Sequence, residues 1–268
     1  FSSTNFCAGS PLFIVDDEAD AASPNTKVNQ KDISAINRSL NAIKKTSSSS
    51  IYLQVTGTPQ SLLLQTKLAG WKPSFTYYFE PGKGYIGGDF FFSEDDCPYI
   101  IPTDNDEGKE LLSDDEFPEN GLKQALLVHL VSSAHLFLTG SVVSNFVVHP
   151  SVKVSEHQKF ANKIGEYLNE LNSSIDEDCT IETLQQTFED LKQTKKDIVS
   201  FESIYLFIKK LLENDEIKVL VINSRADHDE NTQYEKGINI VVGGNSLGRG
   251  ITFPMLQTIY YCRVAKNP

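Results

Sequence analysis

The chain has little of several things that would fix its class at once. Its four cysteines, Cys7, Cys97, Cys179 and Cys262, lie far apart and form neither a CxxC pair nor a zinc-ribbon spacing. Scattered thiols without a framework exclude a disulfide scaffold and suit a reducing, cytoplasmic compartment, where cysteine is buried or idle. The five histidines make no HxxxH or HExxH, which removes the common zinc-hydrolase pattern. No run of about 18 apolar residues is seen, so no membrane span is expected, and no basic, apolar leader reads as a signal peptide. Positive charge is short as well: 24 Lys and Arg against 36 Asp and Glu leave a net charge of -12. That balance argues against a nucleic-acid surface spread over the whole chain. Methionine occurs once, at Met255, and the chain opens at Phe1 and stops at Pro268 just after an expected strand; it reads as a fragment.

What is present is enough apolar material for a core. With 268 residues and 40% hydrophobic composition, one large or two ordinary domains are expected. The negative charge is concentrated: between Asp89 and Glu119 there are twelve acidic residues and one lysine. Like-charge runs stay in water, so this stretch reads as a solvated acidic loop or insertion, with a DNA-mimicking or partner-docking loop as the alternative.

Strand and helix patterns alternate along both halves. LFIV (12–15) is a continuous apolar run of the buried parallel-strand type. Ile33, Ile36, Leu40 and Ile43 recur at helical spacing, with Ser34, Asn37, Arg38 and Asn41 on the opposite face. IYLQVTG (51–57) is the next strand, giving a βαβ unit. The aromatic, glycine-rich stretch 75–92 is expected to form short strands or loops. Residues 121–138 form a well-buried helix in which His129 and His135 serve packing. A second block follows: a strand at 145–151, a helix at 155–172 with Phe160, Ile164, Tyr167, Leu168 and Leu171 as its stripe, and a polar helical segment at 180–196. A helix around Ile204, Phe207, Ile208, Leu211 and Leu212 comes next, then strands at 218–224, 238–244 and 257–263.

Three strand ends carry the candidate chemistry. In LFIVDDEAD the apolar run delivers carboxylates to the edge where α/β sheets bind ligands. Asp17 could hold magnesium and Glu18 could act as base on the attacking water, as in nucleotide hydrolases; an acidic helix start is the alternative. In IYLQVTGTPQ, Thr56, Gly57, Thr58 and Pro59 end the neighbouring strand, where hydroxyls could bond the carboxylates and sense the nucleotide state; an ordinary turn is the alternative. In VVGGNSLGRGITFP, Gly243 and Gly244 precede Arg249 and Gly250, a turn that can approach phosphate or ribose closely. It has no Lys-Ser/Thr and is not a Walker A element.

DEAD, TGTP and the GG…RG turn, in that order, resemble the motif order of superfamily-two helicase ATPases. The wording is closer to one branch, the Z-one domain family. It matches in DDEAD followed by Ser23, Asn25 and Thr26, in QVTGTPQ, in Tyr85, Gly87, Gly88 and Phe91, in His149, Pro150 and Ser151, and in GGNSLGRGIT. The resemblance implies an α/β fold with two RecA-like parallel-sheet halves, both incomplete, and a helical, acidic insertion between them. The expected division is 1–92 for the first half, 93–140 for the acidic loop and connecting helix, and 141–268 for the second half with its helical insertion.

The resemblance further implies an ATP hydrolase acting on DNA in a prokaryotic restriction or phage-defence system, with ATP and magnesium as cofactors. DNA and nuclease or other defence subunits would be its partners, without a membrane. Asp17 would hold magnesium through water and Glu18 would activate water. Asp20, Thr56, Gly57 and Thr58 would couple hydrolysis to movement. Gly243, Gly244, Arg249, Gly250 and Thr252 would form the face toward nucleotide or nucleic acid. Where many helicases have Arg-Gly-x-Asp, this chain has Thr252. It also has no GxxxxGK[ST] run and no terminal arginine-rich motif, parts that supply phosphate binding and transition-state charge stabilisation, so this segment alone is expected to be inactive. A DNA endonuclease component and a non-catalytic scaffold are the alternatives; Glu216-Ile217-Lys218 is the one nuclease-like run.

Overall fold

Two separate parallel sheets organise the chain. The computed structural model describes residues 11–20, 34–47, 49–60, 62–63, 73–93, 97–104, 106–113, 121–151, 153–223, 233–244, 247 and 252–262. The chain divides into two compact units, Phe1–Tyr85 and Ile86–Pro268.

In the first unit β1 (Leu12–Asp16), α1 (Ala35–Lys44) and β2 (Ser50–Gln54) follow in order, and the two strands pair in parallel from Leu12 opposite Ser50 to Asp16 opposite Gln54. This is the expected strand–helix–strand unit. Ser34 caps α1, its hydroxyl accepting the Asn37 N–H at 3.3 Å, which satisfies one of the orphan donors at the helix start. Two expectations fail here. Phe13 and Val15 are 62% and 56% exposed, because the sheet has only two strands among the described residues and one of its faces meets no second layer there. In α1 it is Asn37 that is buried and Ile36 that is half exposed. Asn37 Oδ1 accepts from Asn41 Nδ2 at 3.0 Å, so a local amide pair makes the buried polar position tolerable.

The second unit is built on a four-stranded sheet of order β4-β5-β3-β6, all parallel. Its elements are α2 (Gly88–Phe92), α3 (Glu107–Glu110), α4 (Gly121–Leu138), β3 (Val143–His149), α5 (Val154–Ser174), α6 (Asp178–Leu191), α7 (Phe201–Glu213), β4 (Ile217–Ile222), β5 (Gly237–Gly243) and β6 (Leu256–Tyr261). The central strands, β3 and β5, are buried almost throughout, with Asn145 and Asn239 among their buried residues, as parallel strands covered on both faces require. Phe146 and Val148 of β3, Ile238, Ile240 and Val242 of β5, and Tyr260 of β6 face the helices. Val147, Val241, Ile222 and Leu247 form a smaller cluster with Phe253 and Leu256 on the other face.

The helices follow from their stripes. Phe160, Ile164, Tyr167, Leu168 and Leu171 of α5 are all buried, a face contributing on the order of 10 kcal/mol before chain entropy is subtracted. Helix α4 is long and apolar enough to cross a membrane by length and composition, which the reading of the sequence did not allow. It is instead a core helix: Leu122, Leu126, Leu127, Leu130, Val131 and Ala134 are buried in the cluster it shares with the sheet and α5–α7. It ends at Gly140, φ 105°, with Ser141 N–H donating to Leu136 O at 2.9 Å. That closure needs the left-handed conformation glycine adopts freely.

The stretch 75–92 is largely irregular, as expected, but its last five residues form α2. The acidic segment departs further from the sequence reading. It is not solvated throughout: Glu107, on α3, is 2% exposed. Its Oε1 accepts from the Leu122 N–H at 2.9 Å and the Tyr260 hydroxyl at 2.5 Å. One carboxylate of the run is therefore spent on capping the first turn of α4, where backbone N–H groups and the helix dipole favour an anion.

Candidate functional site

In the first unit every residue of Asp16-Asp17-Glu18-Ala19-Asp20 has a distinct placement. Asp16 closes β1, and its carbonyl accepts the Val55 N–H at 2.9 Å, extending the ladder by one residue. Its carboxylate accepts the hydroxyl of Tyr52, two residues before the end of β2. The chain then turns over the end of β2, where Ala19 N–H donates to Val55 O at 3.0 Å and the Ala19 side chain is fully buried. The turn is completed by Asp20. Its Oδ1 accepts from Thr56 Oγ1 at 2.7 Å and its Oδ2 from Thr58 Oγ1 at 2.7 Å. Thr56 Oγ1 in turn accepts the Thr58 N–H at 3.0 Å.

The DEAD turn and the TGTP turn are thus joined through both oxygens of one carboxylate. Charge-assisted hydrogen bonds of this kind are roughly twice as strong as neutral ones. The sequence-chosen Asp20, Thr56 and Thr58 come together, with Gly57 exposed between the two threonines. Asp17 and Glu18 stand exposed on the outside of the same turn, and Asp17 Oδ1 accepts the Glu18 N–H at 3.1 Å. Glu18 has φ 55°, the left-handed region in which a residue with a Cβ is uncommon and often marks a functional site. Asp16 and Tyr52 were missed as site residues; the signal was a tyrosine diagonal to an acid on a paired strand.

The donor set bears on a metal. Asp16 and Asp20 are committed to Tyr52 and to the threonines, and no group of three or more His, Cys, Asp or Glu able to hold a metal occurs among the described residues. An all-protein cage is therefore not what these residues offer. Magnesium, however, commonly takes one or two carboxylates and completes its shell with water and substrate phosphate. The exposed carboxylate of Asp17 at a strand end fits that manner of binding.

The second unit gathers a different set at the carboxyl ends of its strands. Gly243 ends β5, and a Cβ there would lie 2.5 Å from Ile222 O and 2.9 Å from Leu247. At Gly244 it would lie 3.0 Å from His157 Cε1 and 3.1 Å from Ser151 O. Gly243 is demanded by close packing against backbone at its strand end, and Gly244 sits in a tight space beside His157 and Ser151, reasons the sequence reading did not supply. Thr252 is exposed, while Arg249 and Gly250 lie outside the described residues, as do Ser23, Asn25 and Thr26.

Two residues the sequence reading passed over complete this rim. His157, in the first turn of α5, is 2% exposed; its Nδ1 lies 2.7 Å from Asn223 Oδ1 and its Nε2 2.9 Å from Ser151 O. Further along the rim, Cys262 Sγ donates to Pro150 O at 3.8 Å, and a Cβ on Gly108 would meet Cys262 at 3.1 Å. Burial pushes the Cys262 thiol up to about 11. Burial first, and then the bond to Glu107, raises the Tyr260 phenol above its ordinary value. Both groups are uncharged near neutral pH.

The remaining histidines of α4 serve the core. His129 is fully buried, tilted against Phe146 at 5.3 Å and beside Ser133, which bonds Ser144 at 2.8 Å; burial holds its pKa down at about 3. His135 Nδ1 accepts the Val199 N–H at 3.4 Å, and burial, with Lys195 nearby, lowers its pKa as well.

A protein-family model, the Z1 domain, matches residues 121–268, more than half of the chain. The chain belongs to the Z1 domain family. The Z1 match runs from α4 to the last residue and includes His149-Pro150-Ser151, His157 and the Gly243-Gly244 turn, whereas DDEAD and TGTP lie before it. No curated protein and no solved structure matches the chain.

Proposed function

We propose that this Z1 chain is the core of a helicase-like ATPase that couples ATP hydrolysis to movement on DNA, in the cytoplasm, as part of a restriction or phage-defence system. The observation that carries the reading is the Asp20 clamp: one carboxylate accepting the hydroxyls of Thr56 and Thr58. It ties the turn bearing Asp17 and Glu18 to the end of the next strand, so a shift of either turn is felt by the other. An ordinary acidic helix start has no use for such a tie.

In this reading Asp17 holds magnesium through water, and the metal's role when bound is to neutralise charge on the nucleotide phosphates. Glu18 takes a proton from the attacking water as general base. Asp20, Thr56, Gly57 and Thr58 transmit the change at the phosphates. Gly243, Gly244, Arg249, Gly250 and Thr252 face nucleotide or nucleic acid. The phosphate cradle and a cationic group for the transition state complete such a site, and no GxxxxGK[ST] run occurs among these 268 residues. The test belongs on the intact protein: DNA-stimulated ATP hydrolysis, with Glu18→Gln lowering turnover by about 100-fold or more while nucleotide binding persists. Hydrolysis unchanged in Glu18→Gln sinks the assignment.

A further inference from the structure

We propose that His157 is the positioning residue of the second sheet's rim, fixing the backbone of the Gly243-Gly244 turn relative to the ends of β3 and β4. The proposal rests on the reading above, in which that turn meets a phosphate, of either a nucleotide or a nucleic-acid backbone.

Three contacts from one buried ring make the case. Ser151 O can only accept, so the ring nitrogen 2.9 Å from it, Nε2, carries a proton. The other ring nitrogen, Nδ1, lies 2.7 Å from the side-chain amide oxygen of Asn223, so both ring nitrogens are bonded. The third contact is steric: the Cε1 edge lies 3.0 Å from where a Gly244 side chain would begin. Ser151 follows β3, Asn223 follows β4 and Gly244 follows β5. A single imidazole therefore bonds the residues after β3 and β4 and lies close beside Gly244 after β5, at the edge where α/β sheets bind ligands.

Packing alone does not call for this residue. Leucine would fill much of the same space without placing two polar atoms at a buried position, which is costly unless both are bonded. The two bonds fix the ring plane, and the ring plane limits where Gly244 can sit. His157 does not touch phosphate; it acts through Gly244.

The test compares His157→Leu with His157→Gln in the intact protein, because glutamine retains an N–H able to reach Ser151 O. The first readout is the backbone amide NMR signal of Gly244, which does not depend on activity. It should move in His157→Leu and return toward the wild-type position in His157→Gln. The second readout is affinity for two probes, magnesium-ATP and a labelled single-stranded DNA oligonucleotide. His157→Leu should weaken binding of the probe that meets the turn by about tenfold, with recovery in His157→Gln and little change for the other probe. If His157→Leu does not fold, Asn223→Ala removes the Nδ1 partner instead and should move the same signal. An unmoved Gly244 signal, or an equal loss of affinity in the Leu and Gln variants, overturns the proposal. Binding of neither probe by the wild type overturns the phosphate reading, and the Gly244 signal then decides the positioning role alone.

Discussion

Replacing Glu107 by alanine should be costly although it is one of twelve acids in a run that reads as a solvated loop. Its carboxylate is 2% exposed and accepts from the Leu122 N–H and the Tyr260 hydroxyl. Hydrogen bonds to a charged partner are worth about 1.5–3 kcal/mol each, and truncation leaves both donors buried without an acceptor. Against this stands the relief of no longer burying a carboxylate, which brings the net cost to about 3 kcal/mol. For a folded unit of about 150–250 residues each kcal/mol moves Tm by about 2–4 °C, so Glu107→Ala should lower it by about 6–12 °C. Glu107→Gln keeps a carbonyl acceptor and should lose about 1 kcal/mol. The assay is thermal unfolding by calorimetry, with Asp106→Ala and Glu110→Ala as controls. Both control residues are exposed, and surface changes of this kind stay within about 0.5 kcal/mol. If Glu107→Ala melts within about 1 °C of those controls, the anchoring of the acidic segment on α4 and β6 is refuted.

Other outcomes follow from the same contacts. His129, with its folded pKa depressed to about 3 by burial, titrates near 6.5 when unfolded. Its neutral burial therefore adds stability that is full above about pH 6.5 and is lost as pH falls toward 3, at up to about 1.4 kcal/mol per pH unit. His129→Gln should flatten that acid limb in denaturant titrations, and parallel limbs would contradict it. Gly243→Ala places a methyl 2.5 Å from Ile222 O; overpacking against backbone costs about 1–3 kcal/mol, so the variant should unfold at lower denaturant, and an unshifted midpoint would argue against this packing. Iodoacetamide at mildly alkaline pH should label Cys179, which is exposed, well before Cys262, whose thiol is half-buried and raised to about 11. Peptide mass spectrometry reads the order, and equal rates would disprove the burial of Cys262.

Much of the second unit was legible because its signals are long and of one kind. The strand runs are bounded by clear turns, and the α5 stripe repeats from Phe160 to Leu171 over about three turns. The first unit was legible in order but not in burial, since periodicity says which residues share a face and not whether another layer covers it. That is why Phe13, Val15 and Ile36 stand more exposed than expected. At the sites, Asp20, Thr56 and Thr58 could be grouped from two short motifs on adjacent strands. Glu107, Asn145, Asn223 and His157 could not, because each is a lone polar residue whose partner is remote in sequence. Asn145 shows the difficulty: it sits inside an apolar strand, yet its Nδ2 donates to Tyr234 O at 3.0 Å and Pro254 O at 2.5 Å, so it fastens two turns to the sheet.

These lone polar residues are also the ones the fold can least exchange. A leucine or isoleucine of the α5 face can be replaced by another apolar residue of similar volume for less than about 1.5 kcal/mol. A change at Asp20, Glu107 or His157 strands hydrogen-bonding groups that the rest of the structure has already placed, and no neighbouring side chain can move in to satisfy them. Asp20 and His157 bond groups at the carboxyl ends of parallel strands, and Glu107 joins the start of α4 to Tyr260 of β6. The apolar residues therefore fix which sheets form, while these polar side chains fix how the strand ends are held. Substitutions that preserve the fold but abolish function should concentrate at those ends, and a mutational scan in which Asp20 and His157 tolerate exchange as freely as Leu168 would show that the ends are held some other way.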